Sequence, residues 1–394
     1  MYNTRVYSGP NPFRFGDIAL DEAFTDREAS IDELVADMRN GQNVVLYAPR
    51  RYGKTSLVWR AANEAVAKGI SVAYCDLMKT PTKERFAAAL AKTIFDDLAS
   101  PTGAVLERAQ SLFRGLRIVP QFGLDPEDGS LSFSFSAQQR RDIDDTLERL
   151  FEMPQRIAGE RGRRVVLILD EFQEVVKLDK DYPNMMRSIF QTQPEVSHIY
   201  LGSRRHILDG IFEDRNQAFW RSAKRIEIGM IPVDRFRAFI EERFGATDKG
   251  ITGEALDRLL EATYGHPYGT QELAYYTWQE VDPGAHAFAA QVETALENVL
   301  RSENRHFSRI WEDATEHQRL LLIALADGPQ SIYTVEFREG YGFPSNSYVQ
   351  RAAKTLVAQE LVGQNEAKAY MIIEPFLAEW IRRDQKPFAS LGSS

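Results

Sequence analysis

Apolar residues recur along the chain with two periods. Val44–Tyr47 is a short unbroken apolar run, and beyond the next turn Leu57, Val58, Ala61, Ala62, Ala65 and Val66 return at helical spacing. This pattern predicts strand, loop and helix. Ser71–Asp76 predicts a second strand and 83–98 an alanine-rich helix. A polar helix over 138–157 leads into the most hydrophobic segment of all, 165–169, which predicts a central strand buried on both faces. Further strands are predicted at 198–201 and 225–228, each reached through helical sequence. Five strands alternating with helices predict an α/β architecture with a parallel sheet. Residues 101–137 interrupt this rhythm with Pro, Gly and Asp, and then alternate as Leu131-Ser-Phe-Ser-Phe-Ser136. That reads as an inserted loop carrying a hairpin or edge strand.

From 232 to about 310 the strand signal ends, and Phe236, Phe239, Ile240 and Phe244 stand at helical spacing, as in a helical lid or linker domain. From Thr315 the pattern changes again. A helix ending near Ala326, an Asp327-Gly328-Pro329 turn, a short helix near Thr334 and a helix over 345–361 follow one another. Val349, Ala352, Ala353, Leu356 and Leu361 share one face of the last, and short strands around 361–364 and 370–373 complete the outline of a winged helix-turn-helix. The expected domains are therefore 1–231, with an insertion at about 101–137, then 232–310 and 311–394. A length of 394 residues suits that division.

Composition narrows the function classes. With 43% hydrophobic and 27% charged residues the chain is a folded globular protein. No apolar run approaches the roughly 20 residues of a membrane span, and neither a span nor a secretory signal is expected. Lys and Arg total 48 against 57 Asp and Glu, a net charge of -9, so bulk attraction to nucleic acid is not expected. The single cysteine, Cys75, excludes an internal disulfide framework and fits a reducing cytoplasm. Six scattered histidines show no metal-ligand spacing.

The turn after the first strand reads Ala48-Pro49-Arg50-Arg51-Tyr52-Gly53-Lys54-Thr55-Ser56, a phosphate-binding loop with Ala48 where a first glycine is usual. Each part has a physical task. Unsatisfied amides and the positive end of the helix dipole favour a polyphosphate. Lys54 reaches the outer phosphates, Gly53 lets the backbone curl close to them, and the Thr55 hydroxyl suits magnesium. Because alanine tolerates positive φ poorly, an altered loop entrance is expected at Ala48.

The apolar segment 165–169 ends abruptly in Asp170-Glu171, at the end of a parallel strand where ligands bind. Asp170 is the candidate magnesium ligand, and Glu171 the candidate base that orients and deprotonates water. A third strand ends in Gly202-Ser203-Arg204-Arg205, where Ser203 or Arg204 is placed to report the γ-phosphate. Arg221, before the last strand, is either a further phosphate contact or an exposed structural arginine.

Taken together these residues resemble the archaeal-type ATPase family, within the STAND class of signal-transducing P-loop ATPases and close to the AAA+ and replication-initiator ATPases. The likeness spans nearly the whole chain. Asn11-Pro12-Phe13 and Phe24-Thr25-Asp26-Arg27-Glu28 match its N-terminal signature, which the resemblance places beside adenine and ribose. Pro49–Ser56, Leu169-Asp170-Glu171 and Leu201-Gly202-Ser203 follow in the family order. Tyr264-Gly265-His266-Pro267-Tyr268 resembles the lid motif, whose proline and neighbours close over the base. Tyr370, Pro375, Phe376 and Trp380 close the winged helix. The resemblance implies a five-strand P-loop NTPase sheet of the ASCE type, a helical lid and a C-terminal winged helix, with ATP and magnesium held between sheet domain and lid. It alone selects ATP over GTP. The departures are Ala48 and Arg204; in the apoptosome and plant-resistance ATPases an arginine at the matching place senses the γ-phosphate.

Two functions compete. One is an ATPase acting as a slow molecular switch, with the winged helix as output. The other is an ATP-regulated DNA-binding protein or loader that uses Asn346, Tyr348, Gln350, Arg351 and Lys354 of the recognition helix. Residues 312–394 hold eight Lys and Arg against eleven Asp and Glu. That surplus of acid favours a protein partner over a duplex. A scaffold that binds without hydrolysing sits poorly with Glu171. Oligomeric state is left open.

Overall fold

A computed structural model describes residues 10–16, 24–98, 109, 111–114, 116, 120–124, 131–135, 140–365 and 367–385. The chain forms two compact units. One contains Arg27–Ala48 and Leu57–Ile228; the other contains the described parts of Met1–Asp26, Pro49–Ser56 and Gly229–Ser394.

In the first unit, β1 (Val44–Tyr47), β2 (Ser71–Asp76), β5 (Val165–Asp170), β6 (Val196–Gly202) and β7 (Lys224–Glu227) form one parallel sheet in the order β2-β5-β6-β1-β7. Every residue of β5 and β6 is buried, as expected of strands covered on both faces. The edge strand β7 instead alternates. The apolar 165–169 segment is thus interior, but the middle position belongs to β6, which carries Ser197 and His198. Ser197 Oγ donates to Gln42 O at 2.6 Å, and the His198 ring, stacked on Phe190, has Asn43 Oδ1 and Gln193 Oε1 near its two nitrogens and donates its one N–H to one of them. Burial pushes that imidazole down to about 3, so it stays neutral.

The helix Glu28–Asn40, which the sequence reading passes over, buries Ile31, Leu34, Val35 and Met38 on one face. Residues expected as an insertion supply the antiparallel hairpin β3 (Gln121–Leu124) and β4 (Leu131–Ser134); Phe133 packs near Phe95 and Phe113. The other residues of 101–137 lie largely outside the described set.

The second unit is helical from Val233–Gly245 through Gly253–Thr263, Pro267–Gln279 and Ala289–Asp313. A two-residue parallel ladder, β8 (Gly250–Ile251) with β9 (His286–Ala287), corrects the expectation that strands are absent here. The helices Glu316–Leu325, Val335–Gly340 and Asn346–Ala358 and the hairpin β10 (Val362–Gln364) with β11 (Tyr370–Ile372) build the winged helix. A final helix, Pro375–Trp380, extends the predicted outline. Its Glu379 pairs with Arg258, Arg382 and Arg383, and its Trp380 Nε1 donates to Asn304 Oδ1 at 2.8 Å.

Candidate functional site

The phosphate loop begins where β1 ends. Ala48 is fully buried, keeps negative φ and donates its N–H toward Gly202 O at 3.4 Å. The altered entrance expected there is not needed. Left-handed backbone falls instead at Arg51 (φ 67°) and Gly53 (φ 78°). Gly53 takes it without a side-chain penalty, whereas for Arg51 it costs about 1–2 kcal/mol. Lys54 opens the helix Lys54–Ala67 and is only 7% exposed; Ser56 is buried and Thr55 half-buried.

Arg50, Arg51 and Tyr52 are committed to the second unit's own residues. Arg51 Nη1 lies 3.2 Å from Glu374 Oε2, and its guanidinium sits 4.5 Å from the centre of the Tyr268 ring. Arg50 Nε is 3.5 Å from Glu360 Oε2. Tyr52 meets the His266 ring edge-on at 5.0 Å. Arg50, Arg51 and His266 line a cavity of about 460 Å³ together with Glu272, Glu360 and Glu374. Burial pushes the Glu272 carboxyl up to about 7, helped by Glu374 and opposed by Arg51. The Glu374 carboxyl is also raised, chiefly by burial, against the pull of Arg51.

The C-terminal edge of the parallel sheet carries the acids. Asp170 ends β5 and is buried; Tyr74 Oη of β2 donates to its Oδ2, and the Glu171 N–H donates to its Oδ1 at 2.8 Å. Burial, followed by the Asp170 carboxylate, holds the Tyr74 phenol protonated well above its usual range. Trp59 backs the Tyr74 ring at 5.1 Å. Glu171 adopts φ 53°, and its Oε2 accepts from Gln173 Nε2 and from Ser203 Oγ, the latter at 3.2 Å. Asp170 carries a carboxylate and Thr55 a hydroxyl, each an oxygen donor of the type that magnesium takes.

Arg204 caps the helix Arg205–Phe212 through its backbone, and its side chain makes no hydrogen bond or ion pair among the described residues. Its neighbour Arg205 is engaged by Asp209 and Glu227. Arg221 lies over the Trp220 ring at 4.9 Å.

The N-terminal signature divides. Asn11 Nδ2 donates to Tyr275 O, and its Oδ1 accepts the Phe13 N–H. Pro12 is half-buried. Phe13 is 0% exposed and packs between Phe239 and Phe244, so this ring anchors the helical core where a place beside the base was expected. Arg27 (φ 83°) precedes the helix Glu28–Asn40, whose first carbonyl-to-amide bond it accepts from Ile31. His266 is 1% exposed, and its Nδ1 accepts the Gly269 N–H as the cap of the helix Pro267–Gln279. Burial, with Arg51 nearby, pushes it down to about 3. His266 is therefore a neutral cap that backs Tyr52, while Pro267 is the half-buried member of the pair.

Sequence reasoning missed Tyr74, Gln173, Glu360 and Glu374. Gln173 follows the acid pair by two residues, a local signal; the other three acquire their partners through tertiary contacts alone.

Comparison with known proteins places this arrangement. A family described as "ATPase domain predominantly from Archaea" matches residues 24–273, and a "probable winged helix domain" matches 305–383. Among solved structures, a Walker-type ATPase of Pyrococcus abyssi is 17% identical with a TM-score of 0.64, covering 92% of this chain and 97% of its own. The ORC1 protein of Aeropyrum pernix, solved in complex with DNA, is 14% identical with a TM-score of 0.48, covering 94% and 95%. The RuvB branch migration motor of Thermotoga maritima is 12% identical with a TM-score of 0.42, covering 90% and 94%. At 17% identity the shared property is the fold. No curated protein matches the chain.

Proposed function

This chain belongs to the family of ATPase domains found predominantly in Archaea, carried with a winged helix domain, and on that premise we propose that it is a slow Mg·ATP-hydrolysing switch of the STAND type whose output is the winged helix. Lys54 and the amides that open its helix take the phosphates. Magnesium, when bound, would neutralise charge on the phosphate oxygens, and Thr55 and Asp170 would be its protein ligands. Glu171 orients the attacking water and accepts its proton, with Ser203 holding the carboxylate. Arg204 is the γ-phosphate sensor. Asn11, Pro12, Arg27 and Pro267 shape the base and ribose side, with Phe13 and His266 supporting them from within.

One observation carries the switch reading: the loop arginines Arg51 and Arg50 are held by Glu374 and Glu360 of the winged helix. Phosphate oxygens take a guanidinium fork in a geometry at least as favourable as a carboxylate's. A nucleotide at this loop therefore competes with the winged helix for the same two cations, which supplies the differential contact a switch requires. The acid surplus of 312–394 supports a protein partner for that module.

Calorimetry with Mg·ATP, together with phosphate release by the wild type and Glu171→Gln, tests the reading. Binding in both proteins and a fall in turnover of about 10²–10⁴-fold in the variant are expected. Absence of binding heat from folded wild type removes the nucleotide reading, and equal turnover removes Glu171 as the base.

A further inference from the structure

Glu171 stands on a left-handed backbone (φ 53°), an uncommon conformation for a non-glycine residue, and its direction is set by its neighbours. Two donors converge on one of its oxygens: Gln173 Nε2 and Ser203 Oγ both donate to Oε2. Gln173 is 1% exposed, and its own Oε1 is buried with no hydrogen-bond partner. The opposite amide orientation is worse, since it would set a carbonyl oxygen against the carboxylate. That oxygen fits only because residue 202 is glycine: a Cβ there would collide with Gln173 Oε1 and with Leu208. The fold thus buries an amide, leaves its acceptor unsatisfied and clears a side chain from β6, all consistent with aiming one N–H at Glu171.

We infer that Gln173 is a positioning residue for the ATPase reaction, acting only through Glu171. It and Ser203 anchor Oε2 and so fix the plane and rotamer in which the carboxylate meets the attacking water. The inference rests on the proposed ATPase activity. Rotating a base out of line typically costs one to two orders of magnitude in rate while leaving substrate binding alone.

The test combines steady-state hydrolysis with Mg·ATP calorimetry on the full chain, for wild type, Gln173→Leu, Glu171→Gln and the double variant, with thermal melting as a control for folding. Gln173→Leu is expected to lower kcat at least tenfold with KM and the Mg·ATP Kd within about threefold. In the Glu171→Gln background the same change is expected to cause no further loss. Ser203→Ala should give a smaller fall in kcat, combining with Gln173→Leu less than multiplicatively, because both act on one oxygen. Equal kcat in wild type and Gln173→Leu overturns the inference, as does an equal fold-loss in the Glu171→Gln background, which would mark a general structural role. If the wild type binds Mg·ATP but does not hydrolyse it, the ATPase reading itself fails, a result distinct from either. Should Gln173→Leu not fold, Gln173→Met serves in its place, with the same two outcomes deciding.

Discussion

Replacing Glu374 by Gln isolates the proposed competition between nucleotide and winged helix. The amide keeps the shape and an acceptor for Arg51 but removes the charge. Arg51 is about half exposed and Glu374 about one-fifth exposed, with 3.2 Å between Nη1 and Oε2, so solvent screens the pair. Pairs of this kind are worth about 0.2–1 kcal/mol. The contact of Arg51 with Tyr268 at 4.5 Å needs no carboxylate and persists in the variant. Fold stability should therefore change little: Glu374 Oε1 is buried without a partner, and burial already pushes this carboxyl up, so losing the charge offsets losing the pair. What changes is the free energy a phosphate must exceed to recruit Arg51. A loss of about 0.5–1 kcal/mol of competition corresponds to a two- to fivefold rise in Mg·ATP affinity. Calorimetry at 50 mM and 1 M salt reads it. At the higher salt the Debye length shrinks to about 3 Å, and wild type and variant should converge. Equal or weaker binding by Glu374→Gln at low salt, or a gain that persists undiminished at 1 M, refutes the reasoning.

Gly265→Ala should destabilise the second unit by about 2–4 kcal/mol in denaturant titrations, because residue 265 has φ 74° and an added Cβ would collide with the Ile231 carbonyl. Glu272, 8% exposed, is pushed up to about 7 from an ordinary 4.5. The folded chain keeps this proton where the unfolded chain has released it, so stability falls as pH rises from about 4.5 to about 7. Glu272→Gln should abolish that component, about 3 kcal/mol between pH 4.5 and pH 8, in melts taken across the range. Tyr74→Phe removes a partly buried donor to the buried Asp170 carboxylate and should cost about 1–3 kcal/mol in the nucleotide-free protein. In thermal shift assays, saturating Mg·ATP should restore part of that loss.

Much of this molecule was legible because its informative residues are contiguous. Strands buried on both faces, such as β5, appear as unbroken apolar runs, and the loop Pro49–Ser56 and the pair Asp170-Glu171 are local strings. The helix Glu28–Asn40 has its own local signal, with Ile31, Leu34, Val35 and Met38 at helical spacing on an otherwise charged surface. Within Asn11-Pro12-Phe13 the expectation departs from the structure at Phe13. A motif records which residues accompany a ligand, not which of them touch it, and Phe13 proves to be core. Tyr74 became recognisable only through register, since β2 pairs with β5 so that Asp76 faces Asp170.

The loop arginines mark a limit of another kind. A guanidinium forks onto a phosphate and onto a carboxylate with the same geometry, so Arg50 and Arg51 in a phosphate loop read naturally as phosphate ligands. Their observed acceptors lie more than 300 residues away in sequence, on segments with no local signal of a loop partner: Glu374 at the start of the last helix and Glu360 at the end of the recognition-helix turn. Both assignments hold if they alternate. A cation with two acceptors of similar strength is a two-state element, and the state is set by whichever acceptor is present at the higher effective concentration. Because each pair is worth only about 1 kcal/mol or less, the proposed switch requires a bound triphosphate to outcompete only weak contacts.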